Sequence, residues 1–363
     1  MIQVSTKTHQ TVTQSRLDRL GIKATLLEGE HGENALTPLE TSGTHEIWKG
    51  RDADGQVYYV KDNVSITNFV PGAPQGINQA IKPAADWVQK KLVPGAGDLQ
   101  NVNDIVGRRF AATALQKLAG EAPVVPAREV AFVDQHGDLH FATASPAVLH
   151  MGSLAEVDAP PLARPRTAAI GLVLTSLLMG NWDATFHEDN NSIIKADGGM
   201  FDQGEVVYAD LGWSMGKGNT LLGHPYGSRE LMHQLPAADL DHAVKVVGGL
   251  SNRQLHDWVN EAGEGSITGW NADLCQDLVT TLQHNRDELN RRLAKDPDWL
   301  HRTAAKAPRG KLEMVEQVVT MGPIAVQHFR EIAHSGILSH ITTGDDMVRM
   351  VMGDLQSQPA TQK

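Results

Sequence analysis

Thirteen consecutive residues, Thr167 to Met179, carry no charged side chain. A helix that crosses a bilayer needs about 20 apolar residues, so this run is too short to span one and reads as a helix buried in protein. The stretch after it constrains the fold further. Gly180-Asn181-Trp182-Asp183-Ala184-Thr185-Phe186-His187-Glu188-Asp189-Asn190-Asn191 is a polar loop, and Ser192-Ile193-Ile194 then opens a short apolar strand. A second strand, Glu205-Val206-Val207-Tyr208-Ala209, ends in Asp210-Leu211-Gly212. A buried helix and two short strands therefore bracket a loop of acids and amides.

Upstream, residues 41–63 predict a β-hairpin. Glu46-Ile47-Trp48-Lys49 is its first strand, Asp52-Ala53-Asp54-Gly55 its turn and Val57-Tyr58-Tyr59-Val60 its return. Asp and Gly tolerate the dihedrals of such a turn, and β-branched and aromatic residues suit the strand. One helical patch is expected near Asp86-Trp87-Val88. The apolar residues Ile105, Phe110, Ala112, Leu115 and Leu118 lean to one helical face over Asp104–Leu118, with Asn103 as cap and Gly120 just past the end. Val124–Phe132 and Leu139–Ala142 predict a second hairpin around Gln135-His136-Gly137-Asp138.

Residues 145–165 hold four prolines and read as a linker. Downstream the pattern is helical. Ser251 with Gln254 forms a capping box. Leu274, Leu278, Leu282, Leu289 and Leu293 mark a long amphipathic helix. Pro323 interrupts the last strong helical pattern. The expected organisation is a mobile polar leader over 1–40, a β-rich N-lobe over 41–150, a mainly helical C-lobe over 151–355 and a disordered tail over 356–363. The fold class is α+β and bilobal.

Composition narrows the function. The formal net charge is −11, which argues against binding to nucleic acid or to an anionic membrane surface, since both need a positive field. The single cysteine, Cys275, rules out an intrachain disulfide and fits a reducing compartment or a fold that needs no staples. It lies in an amphipathic pattern and reads as structural. No basic and apolar signal segment opens the chain. The expected location is the cytoplasm, or a host cell reached without a Sec signal peptide, as the polar leader is compatible with a type III export signal. No membrane insertion is expected.

The polar loop suits phosphoryl transfer. That reaction needs a carboxylate to orient the attacking hydroxyl, an acid and an amide oxygen to hold Mg²⁺, and a lysine to neutralise phosphate. Mg²⁺ prefers hard oxygen ligands. Asp183, Asn191 or Asn190, and Asp210 supply such groups. A zinc site is disfavoured, because His187 has no second histidine three or four residues away.

At these residues the chain resembles the atypical kinase group: HipA-like toxin kinases, actin-fragmin kinase and phosphatidylinositol kinases. The matching segments are Gly180-Asn181-Trp182-Asp183, Asn191-Ser192-Ile193-Ile194 and Asp210-Leu211-Gly212. The resemblance implies a bilobal protein-kinase-like fold and ATP and Mg²⁺ as cofactors. It makes Asp183 the catalytic aspartate, Asn191 (or Asn190) a metal ligand and Asp210 the main Mg²⁺ ligand. More weakly, it makes Gly43 and Thr44 part of a nucleotide-covering loop and Lys61 the phosphate-binding lysine. A protein Ser/Thr hydroxyl is the expected acceptor, as for a bacterial effector kinase.

Three departures stand beside it. Asp183 and Asn191 are eight residues apart, where the group usually has five. The helix at 104–118 has Arg108 and Arg109 about where a glutamate partner for Lys61 belongs, and these two read either as a solvated face or as phosphate contacts. The covering loop has one glycine. They keep two alternatives open: a pseudokinase that binds a partner, or a kinase-fold enzyme that transfers AMP or another group.

Overall fold

The structure is a computed structural model that describes residues 12–29, 32–39, 45–66, 95–146, 152–153, 162–181, 192–197, 200–208, 211–212, 214–215, 235–305 and 336–357. The fold is α+β. A mixed six-stranded sheet has the order β1 (Thr25–Leu26), β5 (Arg128–Val133), β6 (Leu139–Pro146), β4 (Val57–Ile66), β3 (His45–Arg51), β2 (Pro38–Leu39). The β1–β5 pair is parallel and the others are antiparallel. A smaller antiparallel sheet joins β7 (Gly152–Ser153), β8 (Ser192–Asp197) and β9 (Met200–Tyr208).

Both predicted hairpins form; three of their four strands are longer than the propensities suggested and β5 is shorter. Lys61 lies inside β4 rather than at its end, opposite Ile47 on one side and Thr143 on the other. Val124–Ala127 stand outside β5. Opposed residues of antiparallel strands share a face, so Ile47, Lys61, Thr143 and Glu129 form one row across the sheet. The other face carries Trp48, Tyr58, Val60, Val130, Phe132, Ala142 and Ala144, covered by Leu27 and Leu36.

Helix α2 (Ala96–Ala119) packs over the Lys61 face. Thr143 Oγ1 donates to the Asn101 carbonyl at 3.3 Å, and Arg108 Nη1 donates to Ser145 Oγ at 2.6 Å. The helix starts eight residues before Asp104, after Gly95 (φ +82°), and ends at Gly120 (φ +82°). Asn103 is therefore an interior residue and not a cap. The early turns were hidden because Gln100, Asn103 and Asp104 are polar yet buried, so apolar periodicity does not mark them.

The stretch expected as a polar leader holds a helix and two short strands among its described residues. Helix α1 (Gln14–Arg19) precedes β1, and Leu17, Ile22 and Ala24 are buried against Ala131, Phe141, Met347 and Val351. The last two belong to α8 (Gly344–Ser357).

The apolar run lies in α3 (Pro165–Leu172) and the π-helical turn that continues it, Val173–Leu178, and is buried from Thr167 onward. Next come α4 (Ala237–Gly248), α5 (Asn252–Gly263), α6 (Ala272–Lys295) and α7 (Trp299–Ala305). The Ser251–Gln254 capping box is present. Leu274, Cys275, Leu278, Leu282 and Leu289 of α6 join the main core, and burial raises the Cys275 thiol pKa. Among the described residues no helix is long and apolar enough to cross a membrane.

One carboxyl clips the turn after α5 to the sheet, and another clips α2 to the start of α8. Glu129 accepts from the N–H and hydroxyl of Thr268, and Asp98 accepts from Gly344 N at 2.7 Å. Burial pushes Glu129 up to about 7 and Asp98 up to about 6. Both folded values lie above the unfolded ones. The native state therefore keeps protons that the unfolded chain has released, and stability falls as pH rises from about 4 to 7. In Glu129→Gln the fall in urea midpoint between pH 5 and 7 should shrink markedly relative to wild type, because its larger contributor is gone.

Candidate functional site

Lys61 is half-buried in β4. Gly43, Thr44, Asp183, Asn190, Asn191 and Asp210 lie outside the described residues, as do the helical patch near Trp87, Pro323 and the tail from 358. The chain on either side of the central motifs is described, and several contacts draw those flanks together.

The first is the β8–β9 hairpin. Ser192, which follows Asn191 in sequence, pairs with Tyr208, two residues before Asp210. The chain thus enters β8 and leaves β9 at one end of the hairpin. Tyr208 pins that end. Its N–H donates to Pro123 O at 2.9 Å, its carbonyl accepts from Val125 N at 2.8 Å, and its hydroxyl donates to Ala168 O of α3 at 2.9 Å. Its ring lies over Gly171, where a Cβ would come within 2.3 Å of a ring carbon. Glycine is needed there for close approach, not for its backbone freedom.

The second anchor holds the chain just after Asp210. The Leu211 N–H, on the peptide that joins Asp210 to Leu211, donates to Asp104 Oδ1 of α2 at 2.8 Å. Asp104 is itself gripped by Arg108, with Nε to Oδ1 and Nη2 to Oδ2 both at 2.7 Å. Arg108 also reaches Ser145 near the end of β6. Aspartate and arginine four residues apart stand on one helical face, and Asp104 and Arg108 are 1% and 5% exposed. Arg108 is thus neither a solvated residue nor poised on phosphate; the exposed one of the pair is Arg109.

The third anchor joins the two motif-bearing stretches. Met215 N–H donates to Met179 O at 2.7 Å. Met215 has φ +62°, a left-handed conformation that is uncommon and costly for a residue with a Cβ. The turn leading to it is closed by Ser214, whose N–H and hydroxyl both donate to Leu211 O. On the other side, Met179 N–H returns to Leu174 O, the five-residue step of the π turn. Gly180 has φ +64° and turns the chain out of the helix. Asn181 is fully buried, with its N–H on Thr175 O at 3.1 Å. Asn285 of α6 donates its side-chain amide to Leu178 O at 2.9 Å.

Helix α2 is the surface that the second and third anchors meet. A Cβ on Gly107 would lie 2.6 Å from Ser214 Oγ, 3.1 Å from Met179 Cε and 3.5 Å from Leu211 Cβ. The sequence reading missed Asp104, Gly107 and Asn285. Asp104 and Arg108 carried a signal in their i, i+4 spacing. Asn285 carried none, since it sits in an otherwise ordinary amphipathic helix. No protein-family model matches the chain, and a search of curated proteins found no match.

The Asp104–Arg108 pair should be costly to break. Arg108→Met leaves a buried carboxylate without its guanidinium, and such losses run to about 3–5 kcal/mol. A fall of that size in unfolding free energy is expected from urea titration. Arg109→Met, at an exposed position, should change it by no more than about 0.5 kcal/mol.

Proposed function

We propose that this chain is an ATP- and Mg²⁺-dependent phosphotransferase of the atypical kinase type, with a bilobal fold, that acts on a protein Ser or Thr hydroxyl. The observation that carries the reading is the β8–β9 register, which brings the flanks of the amide-bearing loop and of the Asp-Leu-Gly segment to one end of a hairpin. The contacts of α2 with Leu211, and the Lys61 row beneath the same helix, support it.

The donor set fits the metal. Asp210 and Asn191, or Asn190, offer a carboxylate and an amide oxygen, the hard ligands that Mg²⁺ takes alongside phosphate and water. Bound there, the ion would draw charge off the phosphates. In this reading Lys61 neutralises phosphate, and Gly43 and Thr44 cover it. Asp183 orients the acceptor hydroxyl and takes its proton. The hydroxyl oxygen forms a bond to the γ-phosphorus, the bond from that phosphorus to the β–γ bridging oxygen breaks, and ADP departs with the electron pair. Positioning and electrostatics do most of the work in such a transfer. Anchors that hold the two flanks against one rigid helix suit that demand.

The test is incubation with γ-labelled ATP and Mg²⁺, comparing wild type with Asp210→Ala. Label on the chain itself or on a generic protein acceptor, reduced at least tenfold in the variant, is the expected result. A Mg·ATP-dependent thermal shift with no label transferred would replace this reading with a pseudokinase. A mass gain of one adenylyl group on the acceptor would replace it with AMP transfer.

A further inference from the structure

Two carboxyls sit where distant parts of the chain meet, and neither has a role in the mechanism above. Glu129 of β5 is 8% exposed and accepts two bonds from Thr268, 139 residues away. Asp98, in the first turn of α2, accepts from the N–H of Gly344, which opens α8 and lies 246 residues away. A glutamine and an asparagine would accept the same bonds at every pH. The carboxyls accept them and also change charge. Burial holds both above the usual carboxylate range, Glu129 at about 7 and Asp98 at about 6.

The two contacts belong to one junction. Thr268 Oγ1 accepts from Lys23 N at 2.9 Å, so the same residue holds the chain that leads into β1. The next residue, Gly269 (φ +74°), lies so close to Thr342 that a Cβ there would collide with its hydroxyl. Asn271 Nδ2 donates to His340 O at 3.2 Å. The turn after α5 is thereby pressed onto the approach to α8. Thr343 caps α8, its hydroxyl accepting from Asp346 N at 3.2 Å. Behind the cap, Met347 and Val351 pack on Ala131 and Phe141 of the sheet. The far end of α8 is held by other groups, since Arg16 and Arg19 of α1 grip Asp354 at 2.9 and 2.6 Å.

Negative charge surrounds the two carboxyls. Asp62 of β4 and Asp345 and Asp346 of α8 face Asp98, and Asp98 faces Glu129. Hydrogen bonds from Thr343 hold Asp346 below the usual range, so it is charged while Asp98 titrates. The described basic groups near the junction are engaged or set apart. Lys61 shares the Glu129 row with Thr143 between them, Arg349 lies on Asp346 at 2.9 Å, and His340 is 3.7 Å from Asp277. The Lys23 side chain is exposed.

We propose that Glu129 and Asp98 form a pH-operated latch on the N-terminal end of α8. Protonated, they hold the turn after α5 and the first turn of α8 in place. Once ionised, they put two more charges into a junction short of water, beside three aspartates, and opening to water relieves them. The turn at Thr268 and the start of α8 then lift together, while Arg16 and Arg19 keep the far end of α8 tied to α1. The sign follows from the raised values. A carboxyl that is easier to ionise when solvated favours the closed state at low pH, and that preference is lost as pH rises from about 4 to 7.

The experiment is amide hydrogen exchange of the full chain at pH 5 and pH 8, read by mass spectrometry, with neither nucleotide nor Mg²⁺ present. Dividing each rate by the intrinsic rate at that pH leaves the opening equilibrium. Reporter peptides cover 266–271 and 342–350, and 282–292 of α6 serves as control. The expected result is a rise in opening of at least about tenfold between the two pH values in both reporters, with little change in the control. Glu129→Gln should remove more than half of that rise on a logarithmic scale, and Glu129→Gln combined with Asp98→Asn nearly all of it. Reporters that show no rise would overturn the latch. So would a rise of equal size in the control, which would assign the carboxyls to global stability alone, or a double variant that keeps the wild-type rise. If the double variant does not fold, Glu129→Gln decides by itself, and a rise left whole in it overturns the proposal.

Discussion

One carboxylate ties the molecule together around its candidate site. Asp104 takes both arms of Arg108 and the N–H of Leu211, and Arg108 passes on to Ser145 of the sheet. A buried ion pair is a weak source of net stability, because desolvation offsets much of the attraction. It is a strong source of geometry, because a bidentate pair allows few alternatives. Here the geometry it imposes joins the end of a sheet strand, the central helix and the chain that follows Asp210.

The rest of the site's frame spends stability in the same place. Met215 adopts a left-handed backbone at some energetic cost, yet its N–H closes onto Met179. The π turn before Met179 replaces the regular helical step, and Asn285 satisfies the Leu178 carbonyl beside it. Strain of this kind persists only where the surroundings over-determine it. Tyr208, Gly171 and Gly107 provide that surrounding, each through a contact that a larger or smaller residue would spoil. Apolar residues of α2 and α3, including Phe110, Leu115, Ile170 and Leu174, supply the compensating core.

Much of the architecture was legible in the sequence for physical reasons. Turns that contain Asp and Gly between β-branched runs gave both hairpins, and the Ser251–Gln254 box and leucine spacing gave α5 and α6. The buried helix after residue 165 followed from thirteen uncharged residues too few to span a bilayer. The start of α2 was not legible, since pattern reading assumes that polar residues face water and Gln100, Asn103 and Asp104 do not. The opening stretch was underread because Leu17, Ile22, Leu27 and Leu36 are spread among polar neighbours, and only tertiary contacts reveal them as core. Of the candidate site, Lys61 falls on the face covered by α2, whereas the remaining motif residues lie outside the described part of the chain. Asp104 escaped notice because its role is to a backbone N–H more than 100 residues away, which no local spacing records.

A helix buried over most of its surface needs little amphipathicity, and α2 shows how such a helix divides its labour. From Val106 onward its buried positions are largely apolar and weld it to α3 and α5. Before that point they alternate between apolar residues and amides or acids. Water does not explain Gln100, Asn103 and Asp104, since they are buried, and Asp98 and Asn101 are half-buried. Sheet contacts explain Asn101, the Gly344 clip explains Asp98, and the Leu211 contact explains Asp104. What is left is Gln100 and Asn103, whose side-chain oxygens are buried acceptors without a hydrogen-bond partner. An apolar residue at either position would avoid the cost of an unpaired buried acceptor, about 1–3 kcal/mol.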